Sequence, residues 1–262
     1  MKTLSPDAIA SMLPGSPLVV MLDIDGTLCD LVELPGDALV PDSVRAALVL
    51  LMRQRARGVH VALVTGRSVA DAQRMVGLDG LSIYGNHGME RLLESGAVRR
   101  SQTSDRSAAS LRASTSDFAQ LVATFPGTSL EDKHLSLSLH FRGLKRDLVA
   151  EFDTRAAAIA RKHGVRTSPG KCVINILPDT SLNKGDAVRE IVQETGGASP
   201  GASLLFVGDD VTDEDAFVEL NSLSNAVTVR VGDPTSGSAA QHALVDPRAV
   251  RELLEILAGM RT

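Results

Sequence analysis

Acidic and hydroxyl side chains follow three separate apolar runs of this sequence, each at the point where the run ends. If the runs are parallel strands of one sheet, their carboxyl ends meet at one edge and bring these side chains together. Clustered carboxylates repel one another unless a cation neutralises them, and oxygen ligands are those that Mg²⁺ prefers. Singly, each Asp-Gly pair is typical of a turn, but their repetition at successive run ends indicates a magnesium site. In chain order the residues are Asp23, Asp25, Gly26 and Thr27; Thr65, Gly66 and Arg67; and Gly208, Asp209, Asp210 and Asp213.

A basic residue, Lys184, lies in "LNKGDAV", where the pattern indicates that a helix begins. Its ammonium and the positive end of that helix can face the same anion. Phosphate is the natural candidate for this anion.

The elements that would position these residues alternate along most of the chain, with short Val- and Ile-rich runs separated by segments of helical period. The runs are "PLVVMLD", "VHVALVT", "LSIYG", "SLLFVGD" and "AVTVRV". Between them we predict a helix within the segment 41–58, with Gly58 as the residue just past its end, and a capping box of Ser68 and Asp71 opening the next helix. The predicted fold class is α/β, with a doubly wound, Rossmann-like parallel sheet as its core.

The alternation breaks between residues 104 and 179, where a Ser-rich helical segment, "HLSLSLHFR", a long helix ending near Gly164 and "KCVINIL" follow one another. In "HLSLSLHFR" leucines alternate with polar residues, which is typical of a sheet with one packed face and one open face. We therefore predict an inserted α+β cap domain with an antiparallel sheet over 104–179. The core domain would comprise 1–103 and 180–262.

Composition argues against several classes of partner. The 27 basic and 32 acidic residues give a net charge of −5, and with no Trp and one Tyr the chain offers no platform for nucleic acid. Two distant cysteines, Cys29 and Cys172, suit a reducing compartment. Asp7, Pro14 and Asp23 interrupt the N-terminal segment, so neither a secretory leader nor a membrane span is predicted. We expect a cytoplasmic monomer without a membrane partner.

Four motifs, "DIDGT", "VTGRS", the Lys of "NKGDA" and "GDDVTDEDAF", resemble in type and order the signature motifs of the haloacid dehalogenase superfamily of phosphoryl-transfer enzymes. Within it, the blocks "GNHGME", "LEDKHLSLSLHFR" and "GKCVINILPDTSLNKGDAV" are similar to those of trehalose-6-phosphate phosphatases. The resemblance extends from about Pro17 to the C-terminal helix. It implies a Mg²⁺-dependent hydrolase that acts in trehalose biosynthesis on a phosphorylated disaccharide.

The resemblance also implies a role for each motif residue. Asp23 would attack phosphorus and form an aspartyl-phosphate, while Asp25 would act first as general acid and then as general base. Phosphoryl oxygens would be held by Thr65, Gly66 and Lys184. Magnesium would be bound by Asp23, the Asp25 main-chain carbonyl and Asp209, with Asp213 fixing a water on the metal or Lys184.

Sugar contacts are expected by the same resemblance at Glu131, Lys133, His140 and Arg142. His140 and Arg142 fall on the predicted polar face, but Glu131 and Lys133 share parity with the leucines and would need a bulge or a loop. Solvated surface is the other reading of such a His or Arg.

Asn175 is a departure, since the family usually has Glu there, and an amide offers a donor beside its acceptor. Near the junction of core and cap, Arg67, Asn86 and His87 are also expected to touch substrate, although a structural role in turns fits them equally.

Three functions remain open at this level. The favoured one is hydrolysis of trehalose 6-phosphate to trehalose and phosphate. A second is a phosphatase of the same superfamily for sucrose phosphate or a glycosyl-phosphoglycerate, which only cap residues would distinguish. A third is a catalytically silent sugar-phosphate sensor, which the Asp23 and Asp25 pair disfavours because binding alone needs neither group.

Overall fold

The computed structural model describes residues 1–32, 35–93, 95–101, 105–235 and 237–259. The chain forms two compact units. The first, the core unit, comprises Met1–Arg99 and the chain from Leu182 onward, and the second, the insert unit, comprises Arg100–Ser181.

The described residues form thirteen strands and eight α-helices. The strands are β1 (Lys2–Thr3), β2 (Leu18–Leu22), β3 (Val59–Val64), β4 (Ser82–Gly85), β5 (Glu90–Leu92), β6 (Val98–Arg100), β7 (Ser129–Asp132), β8 (Leu137–His140), β9 (Arg166–Gly170), β10 (Val173–Leu177), β11 (Ser203–Gly208), β12 (Ala226–Val231) and β13 (His242–Leu244). The helices are α1 (Pro6–Ser11), α2 (Asp42–Met52), α3 (Val69–Val76), α4 (Asp105–Thr124), α5 (Val149–His163), α6 (Lys184–Glu194), α7 (Glu214–Leu220) and α8 (Pro247–Gly259).

The core unit is built on a nine-stranded sheet in the order β1-β13-β12-β11-β2-β3-β4-β5-β6. Its strands pair in parallel from β1 to β4, and β5 pairs antiparallel to β4. Strand β2 lies between β11 and β3, and all five of its residues are buried. This pairing confirms the five predicted parallel strands. Continuous apolar runs suit such strands because helices cover them on both faces.

Helices cover both faces of this sheet. On one face α1, α2, α3 and α8 pack on side chains such as Val20, Leu22 and Leu205. On the other face α6 and α7 pack on Met21 and Phe206, which alternate with the first set along the same strands. The doubly wound core is therefore confirmed.

The insert unit is a four-stranded antiparallel sheet, in the order β7-β8-β10-β9, with α4 and α5 packed on one face. Leu137 and Leu139 point into this packed layer, as the alternation predicted. The strand is shorter than "HLSLSLHFR", however, because the chain turns at His134, whose φ is +66°. Arg142 lies in the turn after β8 and is exposed.

Two predictions about helix ends are wrong. Helix α2 ends at Met52, and Gly58, with φ of +84°, ends a separate 3₁₀ turn over Arg55–Arg57. At α3 the Ser68 hydroxyl accepts from the Asp71 N–H at 3.2 Å, so Ser68 is the predicted N-cap, but reciprocal capping boxes are found instead at Asn183 and Asp186 and at Asp210 and Asp213. Short-range patterns of Ser, Asn and Asp do not distinguish a one-way cap from a two-way cap.

The insert unit should depend on Phe152, which is fully buried in α5 and contacts Phe125 edge-on at a centroid distance of 5.3 Å. Phe152→Ala should lower the free energy of unfolding by about 3–5 kcal/mol, because it leaves a cavity among aromatic rings. Urea denaturation followed by circular dichroism measures this loss. Leu50→Ala, at a site 46% exposed, is the control and should cost less than about 0.5 kcal/mol. Equal losses in the two variants would contradict this account of the core.

Candidate active site

The carboxyl end of the central strand β2 places Asp23 inside the protein, where it is only 4% exposed. The Asp23 N–H donates to the Val207 carbonyl of the neighbouring strand at 2.9 Å, so the chain leaves the sheet only after this residue. Gly26 then turns back with φ of +74°. A Cβ atom at Gly26 would lie 2.0 Å from Asp209 Oδ2, so only glycine lets the Asp209 carboxylate approach this turn.

Three carboxylates, those of Asp23, Asp209 and Asp213, form a buried cluster at this edge of the sheet. One oxygen from each lies within 4.8 Å of the others. The Lys184 ammonium, also buried, donates to Asp23 Oδ1 at 2.8 Å and to Asp213 Oδ1 at 2.7 Å. The predicted meeting of these residues at the strand ends is therefore observed.

Charge in this cluster is not balanced by Lys184 alone. Burial raises the pKa of Asp23 well above its ordinary range, the Lys184 ammonium opposes this shift, and the carboxylates of Asp213 and Asp209 add to it. Burial lowers the pKa of Lys184, but the two bonded carboxylates outweigh burial and bring it above its usual value. Three carboxylates with oxygen donors and one ammonium fit the binding of a further cation, and a divalent cation matches both the donor type and the charge.

Asp213 also shapes the loop that carries Asp209. Its Oδ2 accepts from the N–H groups of Asp209 and Asp210, both at 2.9 Å, while Oδ1 faces Lys184. A Cβ atom at Gly208 would lie 2.3 Å from the Asp213 carboxyl carbon, so this contact also requires a glycine. Asp213 therefore joins the loop after β11 to the Lys184 ammonium.

Lys184 is the first residue of α6, where the sequence predicted a helix to begin. Asn183 caps this helix by accepting from the Asp186 N–H at 3.2 Å, and Asp186 accepts from the Asn183 N–H at 3.1 Å. The two bonds satisfy N–H groups that a helix start leaves without partners. They also hold the backbone from which the Lys184 side chain reaches the cluster.

The loop after β3 contributes Thr65, Gly66 and Arg67. Thr65 is 1% exposed, and its Oγ1 accepts from the Arg67 N–H at 3.2 Å, so its hydroxyl hydrogen can be donated elsewhere. A Cβ atom at Gly66 would lie 2.6 Å from the His87 ring. Gly66 is thus required for the contact of this loop with His87.

Arg67 forms a bidentate ion pair with Asp25, with Nε and Nη2 at 2.8 and 2.7 Å from the two carboxylate oxygens. This geometry is the strong form of a charge-assisted hydrogen bond. The pairing of Arg67 with Asp25 was not predicted, because nothing in the spacing of the two motifs reports on it. Asp25 is half-buried, unlike Asp23, and so reaches the protein surface.

The predicted residues Asn86 and His87 lie directly behind this loop. Both have positive φ, +48° and +57°, and both are buried. The Asn86 N–H donates to the Arg67 carbonyl at 2.6 Å, and the His87 N–H donates to the Thr65 carbonyl at 3.0 Å. The backbone N–H groups of both residues therefore donate to the loop that carries Thr65 and Arg67.

In the insert unit, Glu131, Ser138 and Asn175 are paired across three adjacent strands. Glu131 belongs to β7, whereas Leu137 and Leu139 belong to β8. The alternation along β8 therefore does not determine the face to which Glu131 points. Ser138 Oγ donates to Asn175 Oδ1 at 2.9 Å, and Ser138 is a residue that the sequence analysis did not single out.

The remaining predicted residues of this sheet gather at Glu131. Its Oε2 lies 2.8 Å from His140 Nε2 and 3.8 Å from Lys133 Nζ. Side-chain contacts therefore link Glu131 to Lys133 and His140, and strand pairing places Asn175 in the same polar row. Arg142 lies outside this row, in the exposed turn after β8.

Comparison with known proteins gives the family of the chain. The family model for trehalose-phosphatase matches residues 21–250. The chain belongs to the trehalose-phosphatase family.

Of the helices in the described part of the chain, none combines the length and the apolar composition that a membrane span requires.

Similar proteins extend over nearly all of this chain. The trehalose-phosphate phosphatase of Mycobacterium tuberculosis is 30% identical over 262 residues, which cover 97% of this chain and 66% of that protein. This chain therefore spans 66% of the length of that relative, just under two thirds.

Solved structures resemble both the core and the insert. A crystal structure of a trehalose-6-phosphate phosphatase related protein is 26% identical with a TM-score of 0.77, covering 92% of this chain and 97% of that one. The C-terminal domain of the C. albicans trehalose-6-phosphate phosphatase is 23% identical with a TM-score of 0.87, and 99% of each chain is covered. Because the identity is only 23%, the similarity to this second structure supports the fold alone.

Gly26 provides a test of the carboxylate cluster. In Gly26→Ala the added Cβ must displace Asp209 Oδ2, and alanine disfavours the positive φ. We expect the affinity of this cluster for a divalent cation, measured by isothermal titration calorimetry with Mg²⁺ as the probe, to fall at least about tenfold. The control is Gly36→Ala, where a Cβ meets nothing within 4 Å. Unchanged affinity in Gly26→Ala would show that Asp209 does not bind the metal.

The two cysteines should differ in reactivity. Burial, with help from the Asp25 carboxylate, raises the pKa of Cys29 to about 12, whereas Cys172 is exposed. Since the thiolate is the reactive form, only on the order of 10⁻⁴ of Cys29 is reactive at pH 8. Iodoacetamide should modify Cys172 in the native protein and both residues after denaturation. Peptide mass spectrometry measures this, and native labelling of Cys29 would contradict the assigned environment.

Proposed function

We propose that this protein is a Mg²⁺-dependent phosphatase that hydrolyses trehalose 6-phosphate to trehalose and phosphate in trehalose biosynthesis. The observation that carries the proposal is the buried arrangement of Asp23 and Lys184, with Asp25 two residues further on, in a member of the trehalose-phosphatase family. Binding alone would need neither an accurately placed nucleophile nor a second carboxyl beside it.

In the first half of the proposed reaction, an Asp23 carboxylate oxygen attacks phosphorus while the bond from phosphorus to the sugar oxygen breaks. Asp25 donates its proton to that oxygen, so that trehalose leaves as an alcohol. In the second half, Asp25 takes a proton from water, which attacks phosphorus and breaks its bond to Asp23. Phosphate is released and Asp23 is restored.

The residues around Asp23 fit the charge that develops on the phosphoryl oxygens. Lys184 lies 2.8 Å from Asp23 Oδ1, and the Thr65 hydroxyl and the Gly66 backbone come from the neighbouring strand end. These groups are fixed before substrate arrives, so little reorganisation is needed during the reaction.

The metal proposed here is Mg²⁺, held by carboxylates of Asp23 and Asp209 and by the Asp25 main-chain carbonyl, with Asp213 orienting its surroundings. Bound there, it would neutralise the phosphoryl group and lower its repulsion of the Asp23 carboxylate. The oxygen-only ligand set supports Mg²⁺ over softer metals.

To donate a proton to the leaving oxygen, Asp25 must face the substrate, whereas in this structure both of its carboxyl oxygens accept from Arg67. We propose that Arg67 exchanges Asp25 for substrate, since a phosphate ester offers a guanidinium the same bidentate geometry. Arg67 would thus be a substrate contact, as the resemblance implies.

Sugar recognition is proposed for the insert unit, through Glu131, Lys133, His140 and Asn175, and for Arg142 and the segment with Asn86 and His87. Asn175 Oδ1 accepts from Ser138, and its NH₂ group can donate to a sugar oxygen. A family carboxylate at this position would accept from sugar hydroxyls instead. This difference favours, as a second candidate, a phosphatase for another sugar phosphate.

We also propose that the protein acts in the cytoplasm as a monomer, without nucleic acid or membrane partners. The acidic net charge of −5 and the two free cysteines support this proposal.

The test is phosphate release from trehalose 6-phosphate, sucrose 6-phosphate and glucose 6-phosphate, with Mg²⁺ and with EDTA. Release that requires Mg²⁺ and strongly favours trehalose 6-phosphate is the expected result. Preference for another sugar would retain the chemistry and change the substrate, with Asn175 as its first cause. No release from any of them would leave the catalytically silent sensor.

Asp23 gives the most direct test of the mechanism. Asp23→Asn keeps the shape of the side chain but removes the nucleophile, so kcat should fall on the order of 10³-fold or more. The control is Asp30→Asn, the same change at an exposed site seven residues further on. Steady-state phosphate release measures both. Substantial turnover by Asp23→Asn would contradict a covalent role for Asp23, provided that the protein mass shows no deamidation back to aspartate.

A further inference from the structure

Glu90 is a buried carboxylate to which the proposed reaction gives no role. It opens β5 at the end of "GNHGME" and is only 4% exposed. A buried carboxylate is costly compared with an apolar side chain of the same size unless hydrogen bonds compensate it. Glu90 Oε2 accepts from the Val69 N–H, the first residue of α3, at 3.0 Å.

This hydrogen bond lies two residues after Arg67, on the same stretch of backbone. The segment Gly85–Glu90, here called the clasp, also donates to this stretch from its first loop residues. As described above, Asn86 N–H binds the Arg67 carbonyl and His87 N–H binds the Thr65 carbonyl. The clasp therefore holds the backbone from Thr65 to Val69 at three points.

The clasp and this backbone are in close contact as well. A Cβ atom at Gly85 would lie 2.7 Å from the Val69 nitrogen and 2.8 Å from the Arg67 carbonyl oxygen. On its other side, a Cβ atom at Gly88 would lie 2.8 Å from the carbonyl oxygen of Asn183, the residue before Lys184. Small displacements of the clasp are thus transmitted to backbone that carries functional side chains.

We propose that Glu90 is a positioning residue that fixes the backbone carrying Arg67, and so the place of its guanidinium beside Asp25, by holding the first N–H of α3. Its effect on catalysis rests on the proposed function, whereas its effect on the Arg67 side chain does not. Glu90 acts through backbone and is not itself a catalytic residue.

Simple helix capping is the competing explanation. The N-cap of α3 is already Ser68, whose hydroxyl accepts from the Asp71 N–H. The Glu90 bond is directed instead at Val69, the helical residue nearest Arg67. Capping alone predicts a loss of stability in Glu90 variants with no change at Arg67.

The test compares Glu90→Met, which keeps the length of the side chain and removes the acceptor, with Glu90→Gln, which keeps an acceptor oxygen. Val76→Ala is the matched control, because it truncates a fully buried side chain at the other end of α3. The first measurement is hydrogen exchange of the Arg67 Nε–H by NMR in the full chain. The second is kcat/KM for phosphate release, in the wild-type background and in Arg67→Ala.

Glu90→Met should speed exchange of the Arg67 Nε–H and lower kcat/KM, each by about tenfold, as for loss of one supporting hydrogen bond. In the Arg67→Ala background the same change should lower kcat/KM by less than about threefold, because coupled residues are not additive. Glu90→Gln should stay within about threefold of wild type in both measurements, since its oxygen still accepts from Val69. Val76→Ala should change unfolding and leave Arg67 exchange unaltered.

Several outcomes would overturn the proposal. Unchanged Arg67 exchange in Glu90→Met, or equal losses of kcat/KM in both backgrounds, would reduce Glu90 to a capping residue. If Glu90→Met does not fold, Glu90→Gln decides alone, because a loss there as large as that of Arg67→Ala would contradict a role based on the Val69 bond. If wild type releases no phosphate from any substrate, the proposed function fails while the exchange measurement still decides the role of Glu90.

Discussion

The structure of the site depends on the contact of the Lys184 ammonium with the carboxylates of Asp23 and Asp213. All three side chains are buried, at 2%, 4% and 0% exposure of the residue. Removing an ammonium or a carboxylate from water costs several kcal/mol unless a partner of opposite charge is close. Each of these charges is therefore tolerable only while the others are in place, and the strand ends and the start of α6 must be held accurately to keep them so.

Backbone clearance is what allows these charges to approach. Gly26 admits Asp209, Gly208 admits Asp213, and Gly66 admits the His87 ring, each at distances that a Cβ atom would obstruct. The glycines lie in loops at the end of a rigid parallel sheet, whose strands are buried and covered by helices. The lack of a side chain at these turns therefore permits a close arrangement of functional groups, and this suits a site that must be organised before substrate binds.

Two carboxylates separated by one residue meet different surroundings. Asp23 is buried beside an ammonium and two further carboxylates. Asp25 is half-buried and pairs with the guanidinium of Arg67. One short motif therefore places one carboxyl group among the charges of the buried cluster and the other beside a guanidinium nearer the protein surface.

Much of the core could be predicted from sequence, because the determining forces are local. A strand buried on both faces must be apolar throughout, so "PLVVMLD" and "SLLFVGD" identified two central strands, and "LNKGDAV" identified the start of α6. Helix ends were predicted less well. Gly58 was expected just past the end of α2, but it ends a 3₁₀ turn, since a glycine permits positive φ after either element.

The sequence by itself determined which residue types stand at the strand ends, and hence the chemistry that the edge of the sheet can perform. Only the tertiary structure decided which of them meet. Lys184 contacts Asp23 across 161 positions of sequence, Arg67 contacts Asp25 across 42, and Ser138 contacts Asn175 across 37. Periodicity and spacing report on the few residues of one helix or strand, whereas these pairs depend on strand order and on packing between elements. Glu90 illustrates the same limit. Its partner, the Val69 N–H, belongs to α3, and no local sequence pattern predicts that α3 packs beside Glu90.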